Sequence, residues 1–127
     1  MTENPDAHEE LVHSVIGAMI EVHRELGPGY VEKVYQRALE IELAERGIEF
    51  ESQKRVRLRY KNKPVGVHKF DLFVAGQIVV ELKSVEELHK RHYAQVRSYL
   101  KAVKKSVGLL ANFSEFPLDF RRVELKQ

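Results

Sequence analysis

None of the 127 residues is a cysteine. That excludes disulfides, thiolate nucleophiles and zinc sites built on sulfur. No uninterrupted apolar run approaches the ~20 residues that a membrane-spanning helix needs. Internal repeats and low-complexity segments are also missing. Acid is missing from two long stretches. Ser52–Lys69 carries seven Lys and Arg residues and no Asp or Glu, and Leu88–Ser114 carries Lys90, Arg91, Arg97, Lys101, Lys104 and Lys105. The acids lie elsewhere: residues 1–51 hold 12 acids against 4 bases, residues 52–127 hold 7 acids against 17 bases, and the net charge of +2 conceals the asymmetry. A basic half beside an acidic half points to a polyanionic partner on one side of the molecule. The plainer alternative is two solvated faces that complement each other.

A hydrophobic fraction of 43% with 31% charge is ordinary for a soluble globular chain and argues against disorder. The length is that of one domain over residues 1–127, with an acidic tail over about residues 1–8. MTENPDAHEE resembles neither a secretory signal nor a transit peptide, so a cytoplasmic location is expected.

Apolar spacing organises the chain. Val12, Val15, Met19, Val22 and Leu26 recur at helical intervals, and Gly27-Pro28-Gly29 stops that helix. A second helix is expected over about Val31 to Arg46, with an inward stripe of Tyr35, Leu39 and Leu43 and with Gly47 just past its end. The period then falls to two, because Val56, Leu58 and Tyr60 alternate with Arg55, Arg57 and Arg59. Further strands are expected over Val65–Val74 and Gln77–Lys83, separated by Ala75-Gly76. Ser84-Val85-Glu86-Glu87 fits a capping box, so a helix is expected to begin directly after it. Its core stripe is Tyr93, Val96, Leu100 and Val103, and apolar Ser106–Phe113 and Arg121–Leu125 read as closing strands. This order predicts one α/β unit with a mixed sheet.

Glu81 and Lys83 are the oddest local feature. They stand two apart in an otherwise apolar strand and so leave the same face. Charge buried there is costly unless it is paired or bound to a metal. A structural ion pair or a strand end in solvent explains the pair equally well. Asp71 shifts the weighting, because it sits among Phe70, Leu72 and Phe73 in the preceding strand. A two-residue loop would put Asp71 opposite Val80 and leave Glu81 on the other face. The two acids converge only if the loop holds an odd number of residues or a bulge shifts the register, and that shift is expected. Convergent carboxylates with one lysine suit a hard cation such as Mg²⁺ acting on a phosphate. Gln95 and Tyr99, four apart, share a helix face at the border of the core. Glu32 heads the stripe of Tyr35, Leu39 and Leu43 and is expected to point inward, with a favourable helix N-terminal dipole as its plainer explanation. None of the histidines is assigned to chemistry: His23 reads as a core residue, and His89 and His92 lack a third ligand.

Together, these residues resemble a known family. Gly29-Tyr30-Val31-Glu32-Lys33-Val34-Tyr35 matches a G-x-x-E-x-x-Y signature. Asp71 with Glu81-Leu82-Lys83 matches the split acidic motif of the PD-(D/E)XK nuclease superfamily, although His68-Lys69-Phe70 stands where the superfamily has proline. Gln95-x-x-x-Tyr99 resembles a helix motif of its recombination-nuclease branch. The chain thus resembles a GxxExxY protein of that superfamily from about Leu11 to Leu125. The resemblance implies a restriction-endonuclease-like αβββαβ core with a mixed sheet flanked by helices and an additional N-terminal helix. It also implies phosphodiester hydrolysis with Mg²⁺ or Mn²⁺. Asp71 and Glu81 would be metal ligands, Lys83 would orient or activate water, and Glu32 would extend the acidic, metal-binding cluster. Gln95 and Tyr99 would steady the scissile phosphate. Arg55, Arg57, Arg59, Lys90, Arg91 and Arg97 would contact nucleic-acid phosphates, with DNA ahead of RNA and no membrane partner. Two other readings stay open: a binding module that keeps the fold without turnover, and a regulatory or scaffold subunit. The closing strand permits a homo-oligomer without requiring one.

Overall fold

The computed structural model describes residues 5–126. Two helices come first, α1 (Pro5–Leu26) and α2 (Glu32–Glu45). They are followed by β1 (Phe50–Tyr60), β2 (Lys63–Val74) and β3 (Ile78–Lys83), then α3 (Lys90–Val103), β4 (Val107–Asn112) and β5 (Asp119–Glu124). The strands form one sheet in the order β1-β2-β3-β4-β5. Its pairs are antiparallel except β3–β4, which run parallel because α3 crosses between them. This mixed sheet with helices on both faces is the expected restriction-endonuclease-like architecture, with α1 as the additional helix. Pro5–His8, expected in the acidic tail, already belong to α1, and residues 1–4 lie outside the described residues.

The helix ends follow from their sequences. α1 stops where Gly27 takes φ 70°, its N–H bonded to the His23 carbonyl at 2.7 Å. At the end of α2, Gly47 takes φ 71°, the Gly47 N–H bonds the Ala44 carbonyl at 3.0 Å, and the Ile48 N–H bonds the Leu43 carbonyl at 2.9 Å. That is a complete Schellman closure, whose left-handed position favours a residue without a Cβ.

The sheet separates two apolar clusters. α1 and α2 supply Val12, Val15, Met19, Tyr35, Leu39 and Leu43 against Leu72, Val74, Ile78, Val80 and Leu82. On the opposite face α3 supplies Val96, Tyr99 and Leu100 against Val56, Phe70, Phe73, Val79 and Leu110. β4 is buried along its whole length, as befits a strand with parallel and antiparallel neighbours and a helix layer on each side. α3 approaches β4 so closely at Gly108 that a Cβ there would lie 2.6 Å from Val96 Cγ1.

The start of α3 differs from expectation. Ser84-Val85-Glu86-Glu87 does not cap it. The helix begins at Lys90 after His89, whose backbone N–H donates to His92 Nδ1 at 2.9 Å. Ser84 Oγ donates instead to the Tyr30 carbonyl at 3.3 Å, and the buried Asn112 side chain pins Val85 by its N–H (3.1 Å) and its carbonyl (2.9 Å). These tertiary bonds hold the capping-box residues in an irregular connection.

Candidate active site

The hairpin loop between β2 and β3 decides whether the two acids meet. Val74 pairs with Ile78, so Ala75-Gly76-Gln77 is a three-residue loop, the odd count that convergence requires. Counting back through Phe73↔Val79 and Leu72↔Val80 brings Asp71 opposite Glu81. Here side chains replace the ladder. The Asp71 N–H donates to Glu81 Oε1 at 3.1 Å, and the Leu82 N–H donates to Asp71 Oδ2 at 2.7 Å.

The same row continues into β1. Ser52↔Leu72 and Lys54↔Phe70 bracket Gln53 opposite Asp71. Gln53 has φ 50°, a left-handed conformation that is strained for a residue with a Cβ. Its Nε2 donates to Gln36 Oε1 on α2 at 2.8 Å and reaches Asp71 Oδ1 at 3.5 Å. Alternation breaks at this row: Leu72 joins the cluster under α1 and α2, whereas Phe70 joins the cluster under α3. The sequence carried no signal for Gln53 or Gln36, since neither a left-handed backbone nor a partner on α2 is written in a local pattern.

Glu81 is buried, with 6% of its surface exposed. Loss of hydration, and then the Asp71 charge beside it, pushes its carboxyl up to about 8 against the opposing pull of Lys83. Lys83 Nζ lies 3.7 Å from Glu81 Oε2 and donates to Gln95 Oε1 at 3.3 Å. β3 and α3 therefore bring Glu81, Lys83 and Gln95 together as a connected set. Tyr99 is also buried on α3, its ring 5.2 Å from that of Phe70 and 6.1 Å from that of His68. Burial first, then the charges of Glu81 and Asp71, push its hydroxyl up to about 12, so the phenol stays neutral.

Glu32 departs from expectation. It is the first residue of α2 and lies exposed rather than inward. Its carboxyl is raised by partial loss of hydration; Lys83 and the Ser84 backbone N–H act against that shift, and Asp71 adds to it. Glu32 thus stands within electrostatic reach of the site, at its rim. Among the described residues, no three His, Asp or Glu side chains form a close cluster.

The basic residues divide. Arg55, Arg57, Arg59, Lys90, Arg91 and Arg97 are all exposed. Val56 faces α3, so alternation turns Arg55 and Arg57 to the other face of the sheet, away from the helix that carries Lys90, Arg91 and Arg97. They form two surfaces instead of one. His23 is a core residue, as expected, its Nε2 3.2 Å from the Phe113 carbonyl.

A carboxylate pair and a lysine thus stand at the interrupted end of a hairpin, in a mixed sheet with helices on both faces. The model of the PD-(D/E)XK nuclease superfamily matches residues 9–123, and the chain belongs to that superfamily. Among solved structures, the crystal structure of SSO0001 is similar with a TM-score of 0.57 at 15% identity, over 75% of this chain and 50% of that one. That likeness is one of fold, and this chain spans half the length of that protein. No curated protein matches. No described helix is long and apolar enough to cross a membrane.

Proposed function

We propose that the protein is a divalent-metal-dependent nuclease of the GxxExxY kind, hydrolysing phosphodiester bonds in nucleic acid, DNA ahead of RNA. The reading includes a cytoplasmic setting. The observation that carries the proposal is the row in which Asp71 and Glu81 exchange hydrogen bonds with the opposite backbone while Lys83 stands 3.7 Å from Glu81 Oε2. Asp71 Oδ2 and Glu81 Oε1 are engaged by backbone N–H groups, which leaves Asp71 Oδ1 and Glu81 Oε2 as hard oxygen donors. Such donors suit Mg²⁺ or Mn²⁺, which are often held by one or two carboxylates together with substrate phosphates. The ion would supply Lewis-acid polarisation of the phosphodiester.

The remaining roles belong to this chain's own groups. Asp71 and Glu81 would hold the cation, and Glu81 would give up its proton to do so. Lys83, fixed by Gln95, orients the attacking water and offsets charge developing at phosphorus. Tyr99 stays a neutral hydroxyl beside the carboxylates, and Glu32 adds negative potential at the rim. Arg55, Arg57, Arg59, Lys90, Arg91 and Arg97 hold backbone phosphates on two sides. Binding of that kind weakens steeply with salt.

Calorimetric titration of Mn²⁺ tests the reading, beside an Asp71→Ala/Glu81→Ala control and with cleavage assayed in the same buffer. Saturable binding that the control loses is expected, together with a fall in cleavage of roughly a thousandfold or more, since a metal centre supplies several kcal/mol. Failure of the native protein to bind Mn²⁺, even with DNA present, overturns it. One observation favours a second reading, a binding module without turnover: among the described residues no third carboxylate clusters with the pair.

A further inference from the structure

The Gly29–Tyr35 signature contains more than Glu32, and its remaining residues have a role that the proposed chemistry does not use. Tyr35 is fully buried, yet its hydroxyl donates to the Gly27 carbonyl at 2.5 Å and accepts from the Tyr30 N–H at 3.2 Å. Ser84, which follows Lys83, donates its Oγ to the Tyr30 carbonyl at 3.3 Å. The Tyr30 and Tyr35 rings meet edge-on with centroids 6.0 Å apart. Three hydrogen bonds and a ring contact thus fix a short loop whose outer residues stay uncovered. Tyr30 is 48% exposed and Val31 69%. A loop held this firmly, with an aromatic ring left bare beside Ser84, the residue after Lys83, is preorganised to meet something.

Beneath it lies a cleft of about 360 Å³ lined by Gly29, Tyr30, Val31, Glu32, Ser84 and Ser114. That volume is at the small end for ligand sites, a size for one nucleoside rather than a base pair. No Lys, Arg or His lines it, and Glu32 is its one charged residue, so a phosphate is disfavoured there. Ser114 lines this cleft, and its buried Oγ has no hydrogen-bond partner among the described residues. A buried hydroxyl left unpaired is costly, and a polar edge of a ligand would relieve that cost.

We infer that this cleft receives an unpaired nucleobase next to the scissile phosphate, stacked on Tyr30 and with its polar edge toward Ser114. The inference rests on the nuclease reading for its choice of ligand. It makes Tyr30 a positioning residue for a single-stranded or locally opened strand, because a base in a duplex would first have to unpair and unstack, at a cost in free energy, to enter the cleft.

The test uses a single-stranded oligonucleotide carrying one 2-aminopurine, in Ca²⁺, with strand integrity checked on gels. The probe's fluorescence falls when the base stacks. The full-length protein is expected to quench it, Tyr30→Phe to quench it equally, and Tyr30→Ala to lose the quench and bind about tenfold more weakly, in line with a lost base–aromatic stack. Ser114→Ala is expected to keep the quench and lose base preference. Equal quenching and affinity in Tyr30→Ala, or no binding of the oligonucleotide at all, overturns the inference. Quenching that depends on Tyr30 in a protein that never cleaves would leave the cleft standing and remove the nuclease reading. Cleavage with kcat/KM unchanged by Tyr30→Ala would do the reverse.

Discussion

The two ends of the β1–β2 ribbon are made from the same pair of strands and differ in almost every respect. At the inner end Leu72 and Val74 are fully buried beneath α1 and α2, and the ribbon continues into the β3 pairing. At the outer end Tyr60, Val65 and Val67 are more than half exposed among Arg55, Arg57, Arg59, Lys61 and Lys63. β2 holds an extra residue between its pairings with Leu58 and Arg59. Backbone pairing is common to both ends; cover is not. Sheet formation alone therefore says little about where stability resides. The row of Gln53, Asp71 and Glu81 lies where packed ribbon gives way to bare ribbon, so Glu81 is held in the core while Asp71 stays partly exposed and Gln53 exposed.

Substitution inside and outside the packed end sharpens that contrast most. Leu72→Ala is expected to cost about 2–5 kcal/mol, as large-to-small changes in a closed core do. Val67→Ala should stay within about 0.5 kcal/mol, as for exposed positions. Urea denaturation of the two variants side by side measures both. If Val67→Ala cost as much as Leu72→Ala, the outer ribbon would have to be covered in solution.

The carboxylate row between the two ends should impose a pH dependence. Glu81 holds its proton in the folded, metal-free protein up to about 8, against 4.5 as the ordinary value. Between those values the native state binds more protons than the unfolded chain, so stability falls as pH rises, by at most about 1.4 kcal/mol per unit. Thermal melts from pH 5 to 8 with a chelator present should show this decline, and Glu81→Gln should flatten it. Metal affinity should move the opposite way and strengthen toward pH 8, because binding displaces the proton.

The smallest effect on folding is expected at the outer end, where the proposed function predicts a large effect on nucleic-acid binding instead. Replacing Arg55, Arg57 and Arg59 together by alanine should leave the denaturation midpoint nearly unchanged. It should lower the dependence of log affinity for DNA on log salt by roughly 2 to 3, about 0.9 per phosphate contact removed. An unchanged slope would mean that phosphates are held by Lys90, Arg91 and Arg97 on the other side.

Local pattern was enough for much of the fold. The stripe from Val12 to Val22, the Gly27-Pro28-Gly29 stop and Gly47 at the end of α2 are all visible from spacing and glycine chemistry. So is the apolar run of β3. The start of α3 was not, because Ser84 and Val85 are taken by Tyr30 and Asn112, partners far away in sequence. Within the site, Asp71, Glu81 and Lys83 stand out as charges among apolar neighbours. Their convergence depended on one residue of loop length, which parity posed as a condition and sequence alone did not resolve. The outward position of Glu32 and the division of the arginines from the α3 bases depend on how layers stack, and spacing along one element is silent about that.

The hydrogen bonds between Asp71 and Glu81 and their opposite backbones have a meaning for the site's evolution. Each acid is a rung of the hairpin as well as a charge, filling the place where a main-chain carbonyl would otherwise accept. A lineage that abandoned catalysis would still feel selection against removing either acid, since loss would open the ribbon beside the core. Retention of these two residues in a descendant is thus evidence of a closed hairpin first. The side chains of Lys83 and Gln95, which bond each other rather than a backbone rung, would be the better witnesses of the proposed chemistry.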